Sequence, residues 1–531
     1  MTQVEFGWSF PYASRRAPVL ARNVVATSQP LAASAGIDAL RRGGNAVDAA
    51  VATAIALTVV EPCNNGVGSD AFAIVWDGGR LVGLNASGRS PAAWTPDRFT
   101  GYETMPRTGW DTVTVPGAVS AWVALSRRFG ALPFAELFDA AIGYARDGFH
   151  VGHETAAVWA RAADVFSDFP GFLEHFVPGG RSPGAGEVFV NPDLAQTLGS
   201  IAESAGESFY RGDLAARIEA AAENEGGALR RADLAAHRAL WVDPIVQPYR
   251  GVALAEIPPN GQGLAAQIAL GILGHLDTNR LVPGSAGWTH LQVEAMKIAI
   301  RAAFDHFADP AAMRLTPESL LAPRSVAQAA ASIGNRSSPL PPVALPASQD
   351  TVYLSAADAS GTMVSMIQSN YMGFGSGIVV PGTGIALQNR GAGFVLAPGH
   401  PNVVGPGKRP YHTIIPGFVT KHGSPAMSFG VMGGHMQHQG HVQMVTRVFD
   451  HGENPQAASD APRWHVTPEF RIALEDGCEP SVAAELADRG HAVDIVADHR
   501  LFGGAQLICR LPDGGYCGAS DHRKEGAAIG F

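Results

Sequence analysis

The chain has 531 residues, 46% of them hydrophobic and 16% charged, with a net charge of −10. That apolar content excludes wholesale disorder, and an acidic balance without a basic stripe speaks against a nucleic-acid binder. At roughly 150 residues per unit the length corresponds to about 3.5 domain units, or to one large layered α/β domain.

Residues 1–20 hold two prolines, two arginines and no apolar run that could form the core of a secretory signal. The longest apolar stretch, Ala46 to Val60, contains Asp48 and is too short to span a bilayer. Cys63, Cys478, Cys509 and Cys517 show no CxxC spacing and are too few for a disulfide framework. A soluble cytoplasmic protein is the expectation, with neither membrane nor nucleic acid as partner.

In chain order, Leu31, Ala35, Ile37 and Leu40 mark a helix from Pro30 to Arg42 that stops at Gly43-Gly44. Ala46 to Val60 reads as a second helix with both faces buried. Ala71 to Trp76 and Arg80 to Leu84 flank Asp77-Gly78-Gly79, which predicts a hairpin. From about Val115 to Ala308 the pattern is helix-rich, with helices over 118–129, 134–147, 194–205, 263–275 and 289–307. Pro258-Pro259-Asn260-Gly261 is a loop before one of them. No internal repeat is evident.

Ile333 to Asp350 breaks the composition with four prolines and reads as an exposed linker or extended arm. The pattern then turns to strands. Thr351 to Ala356 and Thr362 to Gln368 flank a turn at Asp358 to Gly361, and the second strand is apolar on both alternating faces. Ile414 to Thr420 and Ala426 to Gly430 are further strands, and Gly440 to Phe449 a helix.

The β-rich portion thus opens on a threonine directly after a Pro-rich linker. A threonine hydroxyl is a weak nucleophile without an adjacent base, and an N-terminal threonine supplies one in its own α-amine. That amine has a pKa near 8, so a useful fraction is neutral at physiological pH. Spacing alone favours an ordinary threonine opening a β-strand, since threonine is a good strand residue.

Further motifs bear on the choice. Thr351-Val352-Tyr353 follows Asp350, and GFGSGIVVPGTGIALQNRGAGF spans Gly373 to Phe394. Gln29 to Pro62, VPGAVSAW (115–122), PPNGQG (258–263), GPGKRPYHTIIP (405–416) and GASDHRKEGAAIGF (518–531) stand in order along the chain. Together they resemble the γ-glutamyltransferase family of N-terminal-nucleophile hydrolases, from about residue 20 to the C-terminus. The resemblance implies an α+β fold, a four-layer αββα sandwich. It implies a proenzyme that cuts itself between Asp350 and Thr351 into a large subunit, 1–350, and a small subunit, 351–531. Thr351 would form an acyl-enzyme with a small-molecule amide and pass the acyl group to water or an amine, without a cofactor. Gly433-Gly434 map onto the oxyanion hole, and Ser369 onto the second hydroxyl, a threonine in the family. A homodimer of processed heterodimers fits this picture.

Departures concern the substrate. Where the family has an acidic pair that holds the γ-glutamyl α-amine, the run here is Asn389-Arg390-Gly391-Ala392-Gly393, without a carboxylate. The family asparagine after the second hydroxyl is Tyr371, and its Ser-Ser pair is His412-Thr413. Arg89 stands near the family's α-carboxylate arginine, at a shorter spacing to Pro91. A cation at Arg390 disfavours an ammonium there and points to an anionic or neutral acyl group. This resembles the divergent branch with cephalosporin-acylase-like and oxamate-amidohydrolase-like members, as an alternative to γ-glutamyl chemistry and glutathione metabolism.

Bland readings stand beside these. Tyr371 can be a core aromatic, and Arg89 a solvated loop residue. His435, His438 and His441 fall at helical spacing but lack a carboxylate or cysteine at ligand spacing, so no metal is expected. Gly373 to Gly377 lacks the Lys-Ser/Thr of a P-loop and is read as a tight turn. An unprocessed, non-catalytic binding protein is the competing class of function.

Overall fold

The computed structural model describes residues 15–344 and 351–531. Asp350 and the end of the predicted linker lie outside the described residues.

Two seven-stranded sheets, each antiparallel throughout, face one another. The first runs Val19–Ala21, Tyr516–Ser520, Gly504–Arg510, Ser424–Met432, Gly417–Lys421, Val252–Glu256, Ile245–Tyr249. The second runs Ala527–Gly530, Val24–Thr27, Val352–Ala357, Met363–Ser369, Asp70–Trp76, Leu81–Asn85, Leu240–Val242. Between them lies an apolar layer fed by both, including Phe72, Tyr353, Ile367, Phe418 and Ile508. Helices Pro30–Arg41 and Ala46–Val60 cover the outer face of the second sheet. Helices Gly263–Leu273 and Ala286–His306 cover the outer face of the first. The result is the expected αββα sandwich, in which each sheet hides one face in the centre and one under helices.

Local chemistry explains the elements around the site. Gln29 caps Leu31 and Ala32, and Pro30 fills the first helical position, where its missing N–H costs nothing. Asn45 and Asp48 form a capping box for Ala46–Val60. Every residue of that helix is buried, because the sheet lies on one side and further helices on the other. Val352–Ala357 and Met363–Ser369 pair in register from Val352–Gln368 to Ala357–Met363. Their turn is set by Asp358, which accepts from the Ser360 N–H at 2.8 Å, and by Gly361 at φ +97°.

The structure refines three expectations. The middle segment is not only helical: strands Leu240–Val242, Ile245–Tyr249 and Val252–Glu256 lie in it and extend both sheets. They are short and partly exposed, which blurs the alternation that marks a strand. The Pro-rich arm is mostly exposed over its described part, as an extended arm should be, but it is anchored at several points. Ser337 N–H donates to Arg489 O at 2.8 Å, Val343 N–H to Pro468 O at 2.9 Å, and Val343 is buried. The helix expected at Gly440 begins at Gln437, directly after a 3-10 turn at Gly434–Met436.

Both sheets contain strands from before and from after residue 350, hydrogen-bonded to one another. Val352–Ala357 and Met363–Ser369 sit between Val24–Thr27 and Asp70–Trp76. A cut at residue 350 would therefore leave the two portions joined by continuous hydrogen-bonded ladders.

Candidate active site

Thr351 is fully buried at the start of its strand, and its Oγ1 donates to Ser369 Oγ at 3.1 Å. The two residues continue the register of their strands by one step. Ser369 Oγ also accepts from the Tyr371 N–H at 2.8 Å. Tyr371 has φ +82°, a rare conformation for a bulky residue, and its ring is 1% exposed. The strain falls where the chain leaves the strand and swings the Tyr371 ring under Arg390. The Arg390 guanidinium carbon lies 4.2 Å from the centre of that ring.

Arg390 Nη1 donates to Thr413 Oγ1 at 2.7 Å. The Thr413 carbonyl accepts from Gln262 Nε2 at 2.5 Å, and the same amide donates to Gly434 O at 2.8 Å. Tyr411 OH fixes Gln262 from its other end, donating to Oε1 at 2.8 Å. One unbroken chain of contacts therefore runs from Thr351 through Ser369, Tyr371, Arg390, Thr413 and Gln262 to Gly434. Gly433 and Gly434 have φ +126° and +57°, a pair of turns that glycine makes without strain. Among the described residues neither N–H meets an acceptor, as a pair of oxyanion donors requires.

His412 and Asp70 form a second, deeper pair. His412 Nε2 donates to Asp70 Oδ2 at 3.1 Å, and both side chains are fully buried. The Ile414 N–H faces His412 Nδ1 at 3.4 Å, which leaves the ring proton on Nε2. Burial, together with Arg390 and Arg409, holds the His412 imidazole well below its usual pKa. Burial raises the Asp70 carboxyl to about 7 against the opposing pull of Arg390. It also lowers the Arg390 guanidinium to about 10, so that side chain remains a cation at neutral pH.

Not every candidate joins this cluster. Arg89 donates to Asp309 at 3.0 Å and to Gly407 O at 2.8 Å, and its side chain is 46% exposed. It lines a separate cleft of about 260 Å³ with Arg409. Of its two readings, carboxylate clamp or solvated loop residue, the structure shows Arg89 paired in that cleft and, among the described residues, without a bond to the Thr351 chain of contacts. Asn389 spends both ends of its amide on main chain: Nδ2 donates to Arg107 O at 2.7 Å and Oδ1 accepts from Met372 N–H at 3.1 Å. It shapes the turn that carries Tyr371 and Arg390 rather than offering a free donor. The three histidines are used separately. His441 bonds Glu256 at 2.6 Å, His435 stacks on Tyr411, and His438 is buried between them.

The tight turn at Gly373 to Gly377 is present, with Gly375 at φ +71° and Gly377 at φ +79°. A cluster of possible metal-ligand type lies elsewhere, at His290, Glu294 and His491. The Lys297 ammonium already meets Glu294 there at 2.8 Å and supplies the positive charge.

Sequence reasoning missed Asp70, Gln262, Arg409 and Asp309. Asp70 had a usable signal, an acid opening a strand that is otherwise apolar. Gln262 and Arg409 lay inside quoted motifs but carried no role, because a buried amide or guanidinium is defined by partners distant in sequence.

With this geometry in hand, the comparisons with known proteins decide the family. The gamma-glutamyltranspeptidase family model matches residues 32–531. The chain belongs to the gamma-glutamyltranspeptidase family. A crystal structure of cephalosporin acylase from Bacillus halodurans is 46% identical, with a TM-score of 0.95, covering 100% of this chain and 99% of that one. The glutathione hydrolase-like YwrD proenzyme of Bacillus subtilis (strain 168) is 35% identical, over 96% of this chain and 98% of its own length. The oxamate amidohydrolase proenzyme of Klebsiella pneumoniae is 36% identical, over 94% of this chain and 97% of its own length. The gamma-glutamyltranspeptidase-family protein is thus an enzyme, a self-cleaving hydrolase or acyltransferase of amides, and its sandwich is that of the N-terminal-nucleophile hydrolases.

Proposed function

We propose that Thr351 is the nucleophile, first in self-cleavage and then in turnover. In the precursor, Thr351 Oγ attacks the carbonyl carbon of residue 350. The acyl group moves from nitrogen to oxygen, the amine leaves, and water hydrolyses the ester. This yields a carboxylate on Asp350 and a free α-amine on Thr351. In turnover that amine takes the hydroxyl proton while Oγ attacks the substrate amide carbon, and it returns the proton to the departing amine. Water, or an acceptor amine, then releases the acyl group from the ester. Gly433 and Gly434 would meet the oxyanion in each tetrahedral step, and Ser369 would orient the attacking hydroxyl.

The observation that carries this reading is the buried Thr351–Ser369 hydrogen bond at the head of a strand that directly follows the arm. The substrate is a small amide. Its relatives' names span a glutathione hydrolase-like protein, an oxamate amidohydrolase and acylases. The carboxylate-free run at Asn389 to Gly393 favours a donor other than a γ-glutamyl compound.

Intact mass of the wild type beside Thr351→Ala tests the nucleophile. Fragments of 350 and 181 residues in the wild type alone are expected. A single uncut chain in both after prolonged incubation would overturn the assignment and favour a binding protein.

A further inference from the structure

We propose that Gln262 is the positioning residue of the oxyanion turn: its side-chain amide holds the peptide after Gly434 and so aims the Gly433 and Gly434 N–H groups. The inference rests on the reading of Thr351 as nucleophile and of Gly433-Gly434 as its oxyanion donors.

Two adjacent glycines let the turn adopt φ +126° and +57°, but the same freedom gives it no steric reason to stay there. Hydrogen bonds must hold it. Within the turn, the Gly433 carbonyl accepts from the Met436 N–H at 3.0 Å and the Gly434 carbonyl from the Gln437 N–H. Both bonds are local and move with the loop. Gln262 Nε2 reaches the Gly434 carbonyl at 2.8 Å from 172 residues away in sequence. That bond ties the turn to an outside frame, and it joins a residue before position 350 to one after it.

The frame is itself fixed. Gln262 directly precedes the helix Gly263–Leu273 as its N-terminal cap position. Its N–H donates to the His412 carbonyl at 3.0 Å, and the His412 N–H donates to the Asn260 carbonyl at 2.9 Å. The side chain is fully buried, and both ends of its amide are used. Nε2 also donates to the Thr413 carbonyl at 2.5 Å, and Oε1 accepts from Tyr411 OH at 2.8 Å. Two carbonyls at one end and a hydroxyl at the other settle which end is nitrogen. The same amide thus spaces the oxyanion turn from Thr413, the residue that holds Arg390. A glutamate in this place sets a carboxylate against two carbonyl oxygens, and a methionine fills the space with no donor at all.

Self-cleavage reads the turn without a known substrate, because its tetrahedral step uses the same two donors. Precursor from cell-free synthesis is followed by intact mass for wild type, Gln262→Met, Gln262→Glu and Tyr411→Phe, over several pH values. Gln262→Met should slow the appearance of the 181-residue fragment by about 10- to 100-fold, less than loss of an oxyanion donor itself. Tyr411→Phe frees only the acceptor end of the amide and should slow it by about 2- to 10-fold. The carboxyl introduced by Gln262→Glu is buried, so its pKa is raised. The ionisable groups around it are Tyr411, His435 stacked on that ring, His412, and Arg390 beyond Thr413. Protonated, that carboxyl regains one donor. The rate of Gln262→Glu divided by that of Gln262→Met should therefore rise by at least about 5-fold as pH falls, which lost packing alone does not produce. Equal rates in wild type and Gln262→Met, or a rate ratio that stays flat with pH, would overturn the proposal while leaving Thr351 in place. If neither variant at position 262 folds, Tyr411→Phe decides, and a rate equal to wild type overturns the proposal. Wild type that never forms fragments would instead sink the nucleophile reading, and this inference with it.

Discussion

Asp70 stands directly opposite Ser369 in the antiparallel pairing of Asp70–Trp76 with Met363–Ser369. The hydroxyl that receives the Thr351 hydrogen bond and the carboxylate that holds His412 are therefore neighbours across one ladder. One comes from before residue 350 and the other from after it. The sheet, not a loop, sets their spacing, and this suits a site whose nucleophile must be placed to within about 0.5 Å.

Ser369 should matter most for the rate of self-cleavage. Its oxygen accepts from both Thr351 Oγ1 and the Tyr371 N–H, so Ser369→Ala frees the hydroxyl and the strained turn together. Appearance of the 181-residue fragment should slow by about 10²-fold or more, the usual scale for losing a positioned proton partner. Ser369→Thr keeps the hydroxyl and should recover most of the rate. A time course by intact mass reads both, and an unchanged rate in the alanine variant would exclude the role.

Gly433 offers a test at the oxyanion loop. At φ +126° a side chain is strained, and a Cβ there would lie 2.9 Å from Gly503 Cα. Gly433→Ala should displace the two N–H groups and lower kcat on any accepted amide by about 10²–10³-fold, with KM changing far less. Gly452→Ala is the control: φ is +68° but nothing lies within 4 Å of its Cβ. Equal losses in the two variants would show general backbone strain instead of an oxyanion effect.

How much of this could be read from the residues differs by element. The helix Ala46–Val60 and the strand pair after Thr351 were legible because each carries its own period and its own turn chemistry. The Thr351–Ser369 contact was legible only through family spacing. Asp70, Gln262 and Arg409 were not, because each acquires its meaning from a partner far along the chain: His412, Gly434 and the Ser87 carbonyl. The pairing of Arg89 was hidden for the same reason, since its partner Asp309 lies 220 residues away. The docking of the arm was hidden in a Pro-rich composition that free linkers share.

Glu61 should make the protein less stable as pH rises through the acid range. It is buried, it accepts from Ser28 Oγ and Asn64 Nδ2 at 2.5 Å each, and burial raises its pKa from about 4.5 to about 7. Below pH 4.5 the carboxyl is neutral in both folded and unfolded chains. Between 4.5 and 7 the unfolded chain ionises it and the folded one does not, so stability falls with pH; above 7 the loss is constant. Glu61→Gln keeps a neutral group with one acceptor and one donor. Its advantage over wild type should grow from near zero at pH 4.5 to about 3 kcal/mol above pH 7. Urea unfolding at several pH values measures the gap, and a pH-independent difference would contradict the linkage.

The docked arm makes a final prediction at Lys297. Its ammonium meets Glu294 Oε1 and Ser337 Oγ at 2.8 Å each, and His491 Nδ1 at 3.4 Å. Glu294 in turn accepts from the Ser338 N–H at 3.0 Å, and His290 Nε2 donates to Gly334 O at 2.8 Å. One buried cluster thus ties three points of the arm to the helix Ala286–His306, and to His491 on the far side of residue 350. Lys297→Met leaves Glu294 buried without its cation and should cost about 3–5 kcal/mol. The Glu294→Leu, Lys297→Met double variant removes both charges and should regain a large part of that loss. It should not re-anchor Ser337 and Ser338, so limited proteolysis should cut within residues 335–344 in both variants and spare the wild type. Full recovery of protease resistance in the double variant would mean that the arm is held by its apolar contacts, Val343 foremost, and not by this cluster.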